Sequence, residues 1–237
     1  MITVVIPVGP KPGHKQWLEE CLSSVRDQTL APAEVLIIDD MADVDADPAF
    51  CRWRDALVMR GIPVRVWRSP WNIGVATAFN IGVGLSKTEC VFMLGADDAI
   101  RPECLSRCLY AYEHVDATTR SRALFFVGVH YTDERPDPDQ FIGCNACMVT
   151  RSLWAHTGGF PLESASGAPD AALISIMIGN PAAGQTIGVA EGQILYDVRS
   201  HPGQDTAQRG PWQGVIHSTR DIVTRQWASP EWCRKDP

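Results

Sequence analysis

Apolar positions along the chain keep two rhythms. Ile2 to Val8 is a short β-branched run around Pro7, and Val35–Ile38, Val64–Trp67 and Cys90–Leu94 repeat the pattern. Short continuous apolar runs of this kind predict strands covered on both faces. Between the first two, Trp17, Leu18, Cys21, Leu22 and Val25 recur every three or four positions, which predicts a helix over 15–27. Further helices are predicted over 48–60, 72–85 and 102–115, the last with Pro102 suitably placed in its first turn. Gly74, Gly82 and Gly84 weaken the intrinsic preference of the third. Beyond residue 115 the pattern is less regular. Leu124–Tyr131 reads as one strand, Asp133–Asp139 as a polar, proline-rich loop and Phe141–Thr150 as another strand. A turn is predicted at Gly158-Gly159-Phe160-Pro161, a helix over Pro169–Ile178 and a last strand within Ile187–Val198.

Strands alternating with helices predict βαβ units, hence an α/β fold with a mainly parallel central sheet flanked by helices and a smaller mixed region after residue 115. The expected division is 1–115, then 116–203 of the same domain, then a polar segment 204–237 carrying Trp212, Trp227 and Trp232 that reads as a C-terminal helix, lid or tail. In parallel sheets ligands sit beyond the carboxyl ends of the strands. Pro7-Val8-Gly9, Asp39-Asp40, Arg68 and Asp97-Asp98 all fall at predicted strand ends, so four chemically interesting segments should meet at one edge.

Composition narrows the choice of partner. With 237 residues, 45% of them hydrophobic, the chain can bury one sizeable core. A formal charge of −7 argues against nucleic-acid phosphate as the main partner, although Arg52, Arg54, Arg60, Arg65 and Arg68 are close in sequence. No stretch approaches a membrane span, and the apolar start lacks the basic region of an export signal. A cytoplasmic location with reduced cysteines is therefore expected. Cys104, Cys108, Cys144 and Cys147 could supply four thiolates to zinc, but Cys104, Leu105, Cys108, Leu109 and Tyr112 share helical spacing, which favours a buried face.

Two adjacent carboxylates after a buried strand repel each other unless something positive lies near. For Asp97-Asp98 a hard divalent cation shared with phosphate oxygens would serve; a solvated turn or helix cap is the plain alternative. Asp39-Asp40 has the same two readings, a carboxylate for a base or ribose or else a turn.

The order of segments resembles family 2 glycosyltransferases of the GT-A (Rossmann-like) fold. The matching pieces are 4–8, 17–29, 34–40, Asn72–Gly82 and Leu94–Asp98, then Gly158-Gly159-Phe160, Asp170 and Tyr196–Gly203; the likeness spans about residues 2–203. The resemblance implies transfer of a sugar from a nucleotide-diphosphate donor, a UDP-sugar first, to an acceptor hydroxyl on a glycan, lipid-linked sugar, protein or modified nucleobase. It makes 1–115 the donor-binding half and 116–203 the acceptor and catalytic half. By the same resemblance Pro7, Val8 and Gly9 border the base, Asp39 binds its edge and Asp40 sits beside it. Arg68, Asn72 and Gly74 lie near diphosphate and ribose. Asp97 touches ribose and, with Asp98 and His201, holds Mn²⁺ or Mg²⁺. Asp170 is the general base of an inverting reaction, and Arg199 adds to stabilisation of the departing diphosphate.

Three positions depart from the pattern. Gly95 stands where many relatives have Asp, Phe79 where they often have Arg, and Pro169 where Glu often precedes the catalytic Asp. For Asp170 a helix cap is the alternative, and for His201 an ordinary surface or core histidine. Gly82-Val83-Gly84 closes a helix rather than opening one, so it is no dinucleotide fingerprint. A sugar-1-phosphate nucleotidyltransferase and a non-catalytic nucleotide-sugar-binding protein stay open as alternatives.

Overall fold

The computed structural model describes residues 1–133, 139–140, 146–160, 184–190 and 193–201. The first half alternates as the pattern predicts. β1 (Ile2–Val8), α1 (Pro12–Arg26), β2 (Glu34–Asp40), a 3₁₀ turn (Val44–Ala46), α2 (Pro48–Met59), β3 (Val64–Ser69), α3 (Gly74–Leu85) and β4 (Cys90–Met93) follow in order. After them come β5 (Ala99–Ile100), α4 (Cys104–His114), α5 (Ala117–Arg120), β6 (Ala123–Phe126), β7 (Gly128–Tyr131), β8 (Asp139–Gln140), β9 (Cys147–Thr150), α6 (Arg151–Thr157), β10 (Gln185–Gly188) and β11 (Ile194–Val198).

Seven strands form one sheet in the order β10-β6-β9-β4-β1-β2-β3. β1 pairs in parallel with β2 and β4, β2 with β3, and β6 with β10; β9 alone runs antiparallel, between β4 and β6. The continuous apolar runs are explained by the two cores they feed. Val4, Ile6, Val35, Ile37 and Phe92 face α1, α2 and α4, whereas Val5, Leu36, Ile38, Val91 and Met93 face α3 and α6. Successive residues alternate between faces, so a strand covered on both sides must be apolar throughout.

A second, mixed sheet has the order β5-β11-β7-β8. Here the sequence reading needs correction: 124–131 is two strands, not one. β6 stays in the main sheet, and β7 crosses to the second, where it pairs with β11. Val127 donates its N–H to Ala146 O at the crossing. Gly128 then lies so close to the Gln193 carbonyl that no Cβ fits. A glycine inside an apolar strand pattern marks such a close backbone approach.

Helix α6 is absent from the predicted elements. Thr150 caps it by accepting the Leu153 N–H (3.2 Å), and Gly158 ends it in the left-handed region (φ 79°). Thr before an apolar segment and Gly after it were the available signals. The four-thiolate zinc arrangement is not formed. Cys104 and Cys108 are buried in the core under α4, while Cys147 lies in the core on the opposite face. Cys144, the predicted helix Pro169–Ile178 and the segment 204–237 lie outside the described residues.

Candidate active site

The parallel register brings the predicted segments to one edge. Val8 is level with Asp39 across β1 and β2, and Asp39 with Arg68 across β2 and β3. β4 ends one strand over, with Leu94 N–H bonded to Val5 O, and Gly95 to Asp98 follow directly. Pro7 and Val8 are buried and Gly9 is half-buried at this rim.

Asp39 is fully buried, and both its oxygens turn into the loop that follows it. Oδ1 accepts the N–H groups of Ala42 (2.7 Å) and Asp43 (3.0 Å), and Oδ2 accepts that of Val44 (3.1 Å) and Arg68 Nε–H (3.1 Å). These bonds hold Met41 and Asp43 at positive φ (63° and 53°), a conformation non-glycine residues rarely adopt. The sequence reading put this carboxylate on a base edge; in the structure it shapes its own loop. Arg68, half-exposed, also meets Asp45 at 3.2 Å and Asp43 at 3.5 Å.

Asp40 points the other way, toward α3. Its oxygens accept the N–H of Ile73 (2.7 Å) and of Gly74 (2.9 Å), capping that helix from the neighbouring strand. Asn72 Oδ1 also approaches the Gly74 N–H (3.2 Å). Gly74 enters the helix at φ 75°, which explains glycine at this first position. The orphan amides that could receive a diphosphate at a helix start are thus already taken, in part, by a carboxylate.

The adjacent aspartates diverge. Asp98 is buried. Its Oδ2 accepts from the Tyr196 hydroxyl (2.7 Å) and its Oδ1 from the Arg199 backbone N–H (2.9 Å). Burial, and next the charge of Asp97, push its carboxyl up to about 7, against the pull of the two donors. Tyr196 also accepts the Gly95 N–H (3.0 Å), so one phenol joins β11 to the loop after β4. Cys21 closes the same loop from α1 by donating its thiol to Gly95 O (3.4 Å); burial and the two carboxylates raise its pKa and keep it a thiol.

Asp97 turns away from Asp98 and toward His201. Its Oδ2 lies 2.9 Å from His201 Nε2, with both side chains mostly buried (15% and 12% exposed). The Arg199 guanidinium is committed to the fold: Nε bonds Asp97 O (3.2 Å), the group stacks on Trp17 at 3.8 Å, and Nη2 pairs with Glu20. Any role on a departing diphosphate, expected from sequence, would be played from this anchored position, with Nη1 outside these contacts.

These contacts sort the expected metal ligands. Asp97 and His201 form a carboxylate–imidazole pair that suits a cation drawing its remaining oxygens from a nucleotide diphosphate. Asp98 is buried and each of its oxygens accepts one internal hydrogen bond, so Asp97 and His201 are the more accessible of the three expected ligands. Among the described residues no three His, Cys, Asp or Glu side chains gather as a self-sufficient metal site. Asp170 lies outside the described residues. Tyr196 and Trp17 lay within quoted segments but carried no predicted role, since a buried phenol between two loops leaves no periodic signal.

No helix among the described residues is long and apolar enough to cross a membrane. The fold is shared with solved structures: TarS from S. aureus in complex with UDP-GlcNAc (TM-score 0.68, 15% identity, 96% of this chain and 67% of that one) and the mannosyltransferase PcManGT from Pyrobaculum calidifontis in complex with GDP-Man and Mn²⁺ (TM-score 0.61, 17% identity, 98% and 71%). In sequence, the chain is 26% identical over 117 residues to the glycosyltransferase GlyG of Streptococcus pneumoniae serotype 4 (strain ATCC BAA-334 / TIGR4). That match covers 49% of this chain and 36% of the relative, so the chain spans only about a third of GlyG. The family description "Glycosyl transferase family 2" matches residues 3–137, more than half of the chain, including the ends of β1 to β4. With the parallel sheet and its acidic edge in place, this chain belongs to glycosyl transferase family 2.

Proposed function

We propose that this chain transfers a sugar from a nucleotide diphosphate, a UDP-sugar first, to an acceptor hydroxyl with inversion at the anomeric carbon. The observation that carries the reading is the Asp97–His201 pair just past the carboxyl edge of the parallel sheet. The UDP-GlcNAc and the GDP-Man with Mn²⁺ bound by the structural neighbours support a donor of this class and a divalent cation. Mn²⁺ or Mg²⁺ held by Asp97 and His201 would neutralise charge on the leaving diphosphate.

The chain's own groups then have distinct tasks. Asp170 takes the proton of the attacking hydroxyl as the new C–O bond forms and the bond to the diphosphate breaks. Tyr196, Asp98 and the Arg199 backbone hold the Gly95–Asp98 loop so that Asp97 meets His201. Pro7, Val8 and Gly9 border the base, beside the loop that Asp39 and Arg68 fix. Asn72 and Gly74 line the entrance nearest the ribose.

Thermal unfolding with UDP, UDP-GlcNAc, GDP and GDP-mannose, each with and without Mn²⁺, tests the reading. A ligand that binds only the folded state at 100 times its Kd stabilises by about 2.7 kcal/mol. We expect one nucleotide to raise Tm only with Mn²⁺, and Asp97→Asn to abolish that rise without unfolding the protein. Failure of every nucleotide to stabilise the chain defeats the proposal. Asp170→Asn should abolish turnover while leaving donor binding intact; unchanged turnover removes Asp170 from the mechanism.

A further inference from the structure

Helix α1 carries a line of polar contacts beside its apolar stripe. Cys21 donates its thiol to Gly95 O (3.4 Å), and Ser24 Oγ accepts the Ile100 N–H (3.1 Å). Gln28, just past the helix, donates to Arg101 O (2.8 Å) and accepts the Leu105 N–H (3.0 Å). Positions 17, 20, 21 and 24 share one helix face, so Trp17 and Glu20 extend this line toward the start of α1. Both meet Arg199. Its guanidinium stacks on the Trp17 ring, 3.8 Å from the centroid, and Nη2 pairs with Glu20.

Trp17 has little part in packing the sheet. Leu18, Cys21, Leu22 and Val25 are buried in the core that α1 shares with α2 and α4, whereas Trp17 is half-buried and belongs to neither core cluster. The face of its ring is given to a cation. Arg199 in turn reaches the Asp97–His201 pair. Its Nε–H bonds Asp97 O (3.2 Å) and its backbone N–H bonds Asp98 Oδ1 (2.9 Å), while His201, two positions on, lies 2.9 Å from Asp97 Oδ2. Asp97 is therefore held at its carbonyl by Arg199 and met at its carboxylate by His201. Without the ring, a long arginine side chain regains rotamers that do not reach Asp97 O.

We propose that Trp17 is a positioning residue for the cation site: its ring fixes the Arg199 guanidinium against Asp97 O, and so sets how Asp97 and His201 approach each other. The inference rests on the reading above, in which these two side chains hold Mn²⁺ or Mg²⁺ for a nucleotide diphosphate. Removing a group that orients metal ligands from behind commonly costs about 10- to 100-fold in metal affinity.

The full chain is tested as Trp17→Leu and Trp17→Phe, by calorimetric titration with UDP and with GDP, in EDTA and in saturating Mn²⁺. The ratio of the Kd in EDTA to the Kd in Mn²⁺ is the gain that the metal supplies. Trp17→Leu keeps apolar bulk but no ring face; it should shrink that ratio about tenfold and leave the Kd in EDTA unmoved. Trp17→Phe keeps a smaller ring face and should lose less. If the leucine variant does not fold, the ratio in Trp17→Phe must still fall below that of the wild type for the inference to stand. A merely structural role would lower the urea midpoint, or weaken binding equally in EDTA and in Mn²⁺, and leave the ratio unchanged; that result overturns the inference and leaves the metal reading intact. A wild type whose nucleotide binding gains nothing from Mn²⁺ defeats the metal reading itself, and this inference with it.

Discussion

The Tyr196 hydroxyl donates to Asp98 Oδ2 at 2.7 Å while accepting the Gly95 N–H at 3.0 Å. The phenol is fully buried and tilted against Phe92 with ring centroids 6.4 Å apart. Tyr196→Phe preserves the ring and deletes the hydroxyl, stranding a buried N–H and an oxygen of a buried carboxylate. Leaving buried groups unpaired costs about 1–3 kcal/mol. Urea unfolding should show a loss of that order with unchanged m-value, and Mn²⁺-dependent nucleotide binding should weaken because the loop carrying Asp97 loses its tether.

Asp98 also makes stability depend on pH. Its carboxyl titrates near 7 in the fold, against an ordinary value of 3.8. Below about pH 4 it is neutral in both states. As pH rises, the unfolded chain ionises first, so stability falls through the window from about 4 to about 7 and then levels off. A displacement of that size is worth up to about 4 kcal/mol. Urea midpoints of the metal-free wild type should fall between pH 5 and pH 8, and Asp98→Asn should flatten that slope. An equal slope in both proteins would assign the pH dependence elsewhere.

Most of the fold of residues 1–115 was legible because its signals are local. Runs such as Val35–Ile38 end where buried backbone meets Asp39-Asp40, and strand ends in a parallel sheet must share an edge. Less legible was anything decided by direction. Asp39, Asp40, Asp97 and Asp98 are two similar pairs in sequence. Yet Asp39 and Asp98 turn inward to bonded sites, Asp40 caps α3, and Asp97 alone meets His201. Neighbouring side chains point to different surroundings, and no composition rule says which oxygen finds a backbone donor. The split at Val127 was hidden in the same way, since an apolar run reads alike in one sheet or two.

Gly95 is one place where the departure from the family pattern has a structural cause. A Cβ there would lie 2.6 Å from Asp98 Oδ2 and 3.1 Å from Asp97 Oδ1. The loop has closed around the space a side chain would need, and Tyr196 and Cys21 hold it shut. Gly95→Asp therefore adds a clash and a third carboxylate. Overpacking alone costs about 1–3 kcal/mol. Placing there the Asp that the family resemblance leads one to expect should lower Tm rather than raise activity, and tighter Mn²⁺-dependent nucleotide binding by Gly95→Asp would contradict this account.

Asp40→Ala removes the acceptor for two amides at the start of α3 and the negative charge facing the positive end of the helix dipole. Loss of a cap costs about 1–2 kcal/mol, whereas Asn, which retains one oxygen, should cost less. Hydrogen exchange at Ile73 and Gly74 should quicken in Asp40→Ala. If the amides are left free, added sulfate should restore part of the lost stability, and sulfate should do nothing for the wild type beyond its general effect on burial.

Asp39 and Arg68 form an ion pair whose two ends should respond differently to mutation. Arg68 is half-exposed and shares its charge among Asp39, Asp43 and Asp45, so solvent screens the pairing. Asp39 has no exposure and satisfies three backbone N–H groups that keep Met41 and Asp43 in strained conformations. Arg68→Ala should therefore leave thermal stability near wild type and weaken UDP binding through loss of a cation at the rim. Asp39→Ala should lower stability by about 3 kcal/mol, because several buried donors lose their acceptor together. Urea unfolding and UDP titration on the two variants separate the effects; a more stable Asp39→Ala would mean that the loop does not depend on this carboxylate.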